Sequence, residues 1–215
     1  DILVTPAVTL LVGGLTAKLI GPGVGWCMLK LGESIVTATE WQPFVFGIFI
    51  AVVVGLVLTA PISSAALCIM MGLTGLAAGA ATAGCCAQMV GFAVISFSDN
   101  GVGGLVAQGI GTSMIQVSNI VKHPWILLPP TLAGAITGPI STCLLHMTNN
   151  AAGAGMGTSG LVGQIMTLTD MGFTGGVFLK ILIVQIVLPA ILSYIIYEIL
   201  RKAGKIKDGD MKLDM

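Results

Sequence analysis

The sequence predicts an all-α integral membrane protein: roughly six to eight membrane helices or half-helices, with an internal repeat around broken helices. Three observations carry this. Hydrophobic residues make up 55% of the 215 positions, charged residues only 8%, and the mean hydropathy is +1.02. An ordinary soluble domain carries roughly 25% charged residues. Eight charges (Arg201, Lys202, Lys205, Lys207, Asp208, Asp210, Lys212, Asp214) crowd into the last fifteen residues, and residues 41–98 form 58 consecutive positions without Asp, Glu, Lys or Arg. No water-facing surface can be built from such a stretch, so the bilayer is the solvent. Strict polar–apolar alternation is missing, which selects helices over a barrel.

Residues 2–20 read as the first span, with Lys18 near one end, and Gly21-Pro22-Gly23 is expected to end it. Residues 24–37 read as an amphipathic helix carrying Lys30 and Glu33, followed by a turn at Glu40-Trp41-Gln42-Pro43, with Trp41 at headgroup level. Residues 44–58 are the strongest local apolar run. Pro61 interrupts, and residues 62–76 continue as a second helix or half-helix. Residues 80–97 form another apolar element, closed by the turn signal Ser98-Asp99-Asn100-Gly101. Residues 101–120 are Gly-rich and weakly apolar, with Gln108, Ser113, Gln116, Ser118 and Asn119, which suits an interfacial segment or the lining of a polar cavity. Lys122-His123-Pro124-Trp125 marks a membrane boundary, residues 126–145 a span, residues 149–160 a short polar glycine-rich break, and residues 161–168 a further apolar element. Residues 176–200 are the clearest span. The basic cluster that follows places the C-terminus in the cytoplasm by the positive-inside rule. The organisation is thus one transmembrane domain over residues 1–200 and a polar cytoplasmic tail over 201–215. The chain begins at Asp1 inside an apolar run, so either a processing boundary or missing earlier segments are expected there.

Net charge is zero and no basic face exists, which excludes nucleic acid as a partner. The five cysteines lie in apolar surroundings without CxxC spacing and read as small buried hydrophobes; a Cys85-Cys86 redox pair is the rival. No nucleophile–His–acid set, phosphate-cradling loop or metal-ligand cluster is visible, so no catalytic residue, metal or cofactor is expected.

Two stretches look alike. Thr59-Ala60-Pro61-Ile62-Ser63-Ser64 is followed by Ala77-Ala78-Gly79-Ala80 and Gln88; Thr137-Gly138-Pro139-Ile140-Ser141-Thr142 is followed by Ala151-Ala152-Gly153-Ala154 and Gln164. The copies cover about 59–92 and 137–168. Broken helices at corresponding positions of two halves point to a transporter's binding site, because freed backbone groups must face protein or water. The same glycines also suit small-xxx-small helix packing.

Trp41-Gln42-Pro43, the block from Ala60-Pro61-Ile62 to Ala66, Gly75-Leu76-Ala77-Ala78-Gly79-Ala80-Ala81, Gly138-Pro139-Ile140-Ser141-Thr142 and Gly160-Leu161-Val162-Gly163 resemble the bacterial phosphotransferase-system sugar permeases, specifically an outlying group of IIC-like membrane subunits. The resemblance implies a homodimeric permease of the bacterial cytoplasmic membrane that binds and moves a sugar, with a separate IIB phosphocarrier subunit doing the phosphorylation. Glucose-type permeases carry a Gly-Ile-Thr-Glu loop that this chain lacks, and its polar loop His146-Met147-Thr148-Asn149-Asn150 has no carboxylate. The family's binding residues therefore do not carry over one by one.

A neutral sugar is held by amides, hydroxyls and backbone groups. Asn149 and Asn150 are paired amides beside a glycine-rich break, and they follow His146 by three and four residues, one side of a helix if helical. The rival is an Asn-rich solvated turn. Gln88 and Gln164, related by the repeat, are candidates for solute contact or for interhelical hydrogen bonding. Ser63 and Ser141 follow the two prolines and suit solute contact or the bonding of freed backbone. The function expected is a multi-spanning permease for a sugar or similar small polar solute. The alternatives are an ion-coupled carrier of another polar solute and a non-transporting sensor or assembly module.

Overall fold

Helix length against bilayer thickness sorts the elements. The computed structural model describes residues 4–213, and among these the only bridge outside helices is Gly75↔Asn149, which is antiparallel. Four helical rods have the length and apolarity to cross a membrane: Val4–Trp41, Gly75–Ile95, Pro124–Leu144 and Gly175–Lys202. At 1.5 Å per residue the 21-residue rods reach about 32 Å, close to the ~30 Å of a hydrocarbon core. α1 is Val4–Trp41, α2 Pro43–Thr59, α3 Ser64–Met71, α4 Gly75–Ile95, α5 Phe97–Val106 and α6 Val117–Lys122. α7 (Leu128–Pro139) runs into a π-helical segment, Ile140–Leu144. α8 is Ala151–Ala154 and α9 Val162–Met171, and α10 (Gly175–Ile181) is joined to α11 (Leu188–Lys202) through a second π-helical segment, Leu182–Val187.

The centre of the bundle is α4, buried along nearly its whole length. Its sequence of Ala, Gly and Cys leaves almost no side-chain bulk, so α2, α7 and α11 close directly onto its backbone. α2 approaches closely at Gly84, where an added Cβ would lie 1.9 Å from the Ala51 carbonyl oxygen. Two of the three π-helical segments among the described residues adjoin a proline: Ile140–Leu144 follows Pro139, and Leu182–Val187 stops just short of Pro189. Proline has no N–H for the helical ladder, and the wider turn re-pairs the neighbouring carbonyls inside the bundle.

Several expectations meet a different chain path. Gly21-Pro22-Gly23 does not end the first helix, because α1 runs through Pro22 for 38 residues. A break in lipid would expose several backbone groups, whereas proline within a continuous helix frees little more than one carbonyl. Residues 62–76 do not form one element: α3 is eight residues long and stops at Gly72. The turn signal at residues 98–101 is absorbed into α5, which bends at Gly101 (φ 58°, ψ −154°). Pro61 lies in the break between α2 and α3, but Pro139 is buried inside a rod against Gly47. The two prolines of the repeat thus stand in different settings. The two Ala-Ala-Gly-Ala tetrapeptides, by contrast, each begin two residues after a member of the Gly75↔Asn149 bridge.

Beyond Lys202 the chain folds back onto the bundle. Ile206 and Met211 are buried with Phe92, Ile95, Ile126 and Tyr197. Both oxygens of Asp99 accept from this segment, one from the Gly209 N–H and one from the Met211 N–H. Gln116 and Asn119 donate to the carbonyls of Met211 and Lys212.

Candidate functional site

Three interrupted stretches of chain enter the bundle and turn back. The first is the α2–α3 hairpin, which turns at residues 60–63. α2 starts where the Thr142 hydroxyl donates to the Pro43 carbonyl, and its last residue, Thr59, donates to Gln88 Oε1, thirteen residues into α4. The second comprises α8, residues 155–161 and α9. It starts at the Gly75↔Asn149 bridge, reaches α4 at Cys85, which an added Cβ on Gly157 would meet at 2.8 Å, and returns along Thr82. The third enters from the opposite end of the bundle: α5, a π-helical segment Ala107–Gly111, a 3₁₀ turn Ser113–Gln116 and α6. Its tip is Thr112, the residue between the π-helical and 3₁₀ segments.

The three tips meet. The Ser64 hydroxyl donates to the Gly155 carbonyl at 2.7 Å, joining the first to the second. The Ser113 and Thr59 hydroxyls lie 2.9 Å apart, joining the third to the first, and the Thr158 hydroxyl donates to the Gly109 carbonyl, joining the second to the third. Between them lies a cavity of about 160 Å³. Ser63, Ser64, Thr112 and Ser159 supply hydroxyls to its wall, and Met89, Met114 and Met156 supply adaptable thioether surface. The residues lining it carry no charge and include no aromatic ring. Ser63 and Ile62 are exposed at its edge. Such a wall offers hydrogen bonds to an uncharged polar molecule and nothing to offset the desolvation of an ion.

The seven residues singled out from sequence separate into distinct places. Ser63 alone lines this cavity, and its side chain also caps α3 by accepting from the Ala66 N–H. Asn149 is fully buried, and its amide nitrogen donates to Thr82 Oγ1, the Gly163 carbonyl and Thr167 Oγ1 at 2.7–3.1 Å, while its oxygen accepts from the Asn150 N–H. As placed, its donors are committed to the second hairpin. Asn150 caps α8, its oxygen accepting from the Ala152 and Gly153 N–H groups. His146 is exposed in the preceding loop with a left-handed backbone (φ 46°). These three therefore do not converge on one cavity, because residues 145–150 are not helical and the i, i+3, i+4 spacing has no helix to act on.

Gln88 is buried and ties Thr59 to Thr131. Gln164 donates to Cys86 Sγ and Gln185 Oε1, leaving its own oxygen without a protein partner. Ser141 is buried with an unpartnered hydroxyl. The sequence reading does not single out Thr112 or Ser159, although the glycine-rich, weakly apolar character of residues 101–120 suits an interfacial segment or the lining of a polar cavity.

No curated protein and no solved structure shows a significant similarity to the chain. The model of one protein family, described as phosphotransferase system, EIIC, matches residues 1–213, nearly the whole length, in agreement with the four rods long and apolar enough to cross a membrane. The chain belongs to the EIIC family of the phosphotransferase system, whose members are membrane subunits of that transport machinery.

Proposed function

We propose that this EIIC subunit binds a neutral polyhydroxylated solute, a sugar or a close analogue, in the cavity between the three hairpin tips and carries it across the bilayer. One observation carries the reading: chain breaks from both ends of the bundle converge on a single uncharged, hydroxyl-bearing cavity near the middle of α4. A structural bundle gains nothing from interrupted helices at that depth, since each break frees backbone groups that hydrocarbon cannot satisfy. In this scheme Ser63, Thr112 and Ser159 contact the solute, and Asn149, Asn150, Gln88 and Gln164 hold the hairpins at the right depth. Ser141 supports the rod at its π-helical segment, and His146 guards the loop at the start of the second hairpin.

The scheme has a separate IIB subunit receive the solute on the side of the basic C-terminal segment, which we place in the cytoplasm. A homodimer fits the outer half of α1, where glycines 13, 14, 21, 23 and 25 have no neighbour within 4 Å. The two Ala-Ala-Gly-Ala copies, set symmetrically about the Gly75↔Asn149 bridge, support a structural repeat.

The test is uptake of a panel of labelled sugars and polyols into vesicles containing the protein, alone and with its IIB partner, together with thermal shifts for the same solutes. A bound solute at a hundred times its Kd stabilises by about 2.7 kcal/mol. Uptake of one solute that falls in Ser63→Ala, Thr112→Val and Ser159→Ala supports the reading. Uptake that follows a proton or sodium gradient without IIB favours an ion-coupled carrier. No uptake and no shift across the panel favours a sensor or assembly module.

A further inference from the structure

We propose that the cleft between the third hairpin (residues 97–122) and the folded-back C-terminal segment binds the anionic headgroup of a phospholipid. The cleft has a volume of about 350 Å³, and its polar wall is made by Ser118, Asn119 and Lys122 of the hairpin and by Lys212 of the C-terminal segment. Two lysines from distant parts of the chain share this small space, and among the described residues no carboxylate lines it. Of the described acids nearby, Asp99 accepts from the Gly209 and Met211 N–H groups, and Asp210 accepts from the Lys207 N–H and lies 3.5 Å from His123 Nδ1. Two like charges on one wall repel, and an anion between them removes that cost. Asn119 contributes indirectly, since its amide donates to the Lys212 carbonyl and fixes the C-terminal wall against the hairpin.

The apolar part of the cleft decides the kind of anion. Ala107, Ile115 and Leu213 line it, and the same hairpin exposes Val106 and Ile110. A free phosphate ion has no use for such a surface; a phospholipid lays its acyl chains along it. The depth agrees with the boundary expected from sequence at Lys122-His123-Pro124-Trp125, where Lys205 lies 5.0 Å from the Trp125 ring centroid. A bound lipid would bridge the hairpin that carries Thr112 to the segment that straps it down. This assignment does not depend on the transport reading.

Native mass spectrometry of the purified full chain in detergent tests it, with phosphatidylglycerol and phosphatidylcholine of identical acyl chains as probes. Because each juxtamembrane lysine favours an anionic lipid severalfold, the wild-type protein should retain phosphatidylglycerol about tenfold better or more. Lys122→Gln and Lys212→Gln, singly and together, should bring the two lipids towards equal retention, while Lys202→Gln, outside the cleft, leaves the preference intact. Both lysines are exposed, so these variants fold. Equal retention of the two lipids by wild type overturns the proposal, as does an equal loss in Lys202→Gln. Displacement of phosphatidylglycerol by millimolar inorganic phosphate would move the site to a soluble ion and end the lipid assignment.

Discussion

The Ser64 hydroxyl donates to the Gly155 carbonyl at 2.7 Å, and this one bond joins two chain breaks 91 residues apart. Both residues are buried, at the wall of the cavity. Ser64→Ala leaves the carbonyl unsatisfied and should cost about 1–3 kcal/mol. Gly155→Ala should be worse, because its Cβ would lie 2.5 Å from the Ser64 carbonyl group, which cannot rotate away. Thermal unfolding of the two variants checks the order. Equal melting temperatures for wild type and Gly155→Ala would show that the two tips are not in contact.

Asn149 holds the second hairpin through Thr82, Gly163 and Thr167. Asn149→Ala should lower stability by about 1–3 kcal/mol, since it empties a buried site, removes one of the Gly163 carbonyl's donors and takes the acceptor from the Asn150 N–H. Asn149→Asp should lower it further, because a carboxylate would face a carbonyl oxygen without a donor to give it. Uptake measured per folded molecule separates support from solute contact. A normal melting temperature with weakened solute affinity in Asn149→Ala would return this amide to the binding site.

Asp99 fastens the C-terminal segment by accepting two backbone N–H bonds, at 3.1 and 3.2 Å. Hydrogen bonds to charged groups are worth about 1.5–3 kcal/mol each. Asp99→Ala should therefore speed amide hydrogen exchange at Gly209 and Met211, with little change at Cys85 in the centre of α4. Asn in its place retains one acceptor and should give an intermediate rate. Unchanged exchange in Asp99→Ala would mean that burial of Ile206 and Met211 alone holds the segment.

Hydropathy and proline punctuation made the long elements legible. The run at residues 44–58 is α2, Pro43–Thr59; residues 126–145 match Pro124–Leu144; residues 176–200 match Gly175–Lys202. Those signals are local, and so is what they can decide. Continuity of α1 through Pro22 depends on the cost of exposed backbone in lipid, which a break signal read as in water does not include. The site was legible only in kind. Unpaired amides and freed backbone in an apolar chain must find partners, but pattern does not say which. Asn149 found Thr82, 67 residues away, and Ser64 found Gly155. Thr112 has no signature of its own; its position at a hairpin tip comes from the extended backbone (φ −161°) between two short irregular helices.

Gly157 and Gly160 offer a controlled comparison within the second tip. Both have left-handed backbone, at φ 54° and 52°, a conformation that costs a residue with a Cβ about 1–2 kcal/mol. They differ in space. A Cβ on Gly160 would meet only Val162 Cγ2, at 3.9 Å, whereas one on Gly157 would lie 2.8–2.9 Å from the backbone and Cβ of Cys85. Gly160→Ala should therefore show the backbone cost alone, a loss of about 1–2 kcal/mol with solute uptake retained. Gly157→Ala adds overpacking against the central helix, typically a further 1–3 kcal/mol or so. It should also push the tip away from α4, widening the cavity that Ser159 and Met156 help to wall and lowering uptake more than folded yield. Chemical denaturation and uptake on both variants decide the matter: two equal losses would place the Gly157 tip clear of Cys85, and the convergence of the three hairpins on α4 would fail with it.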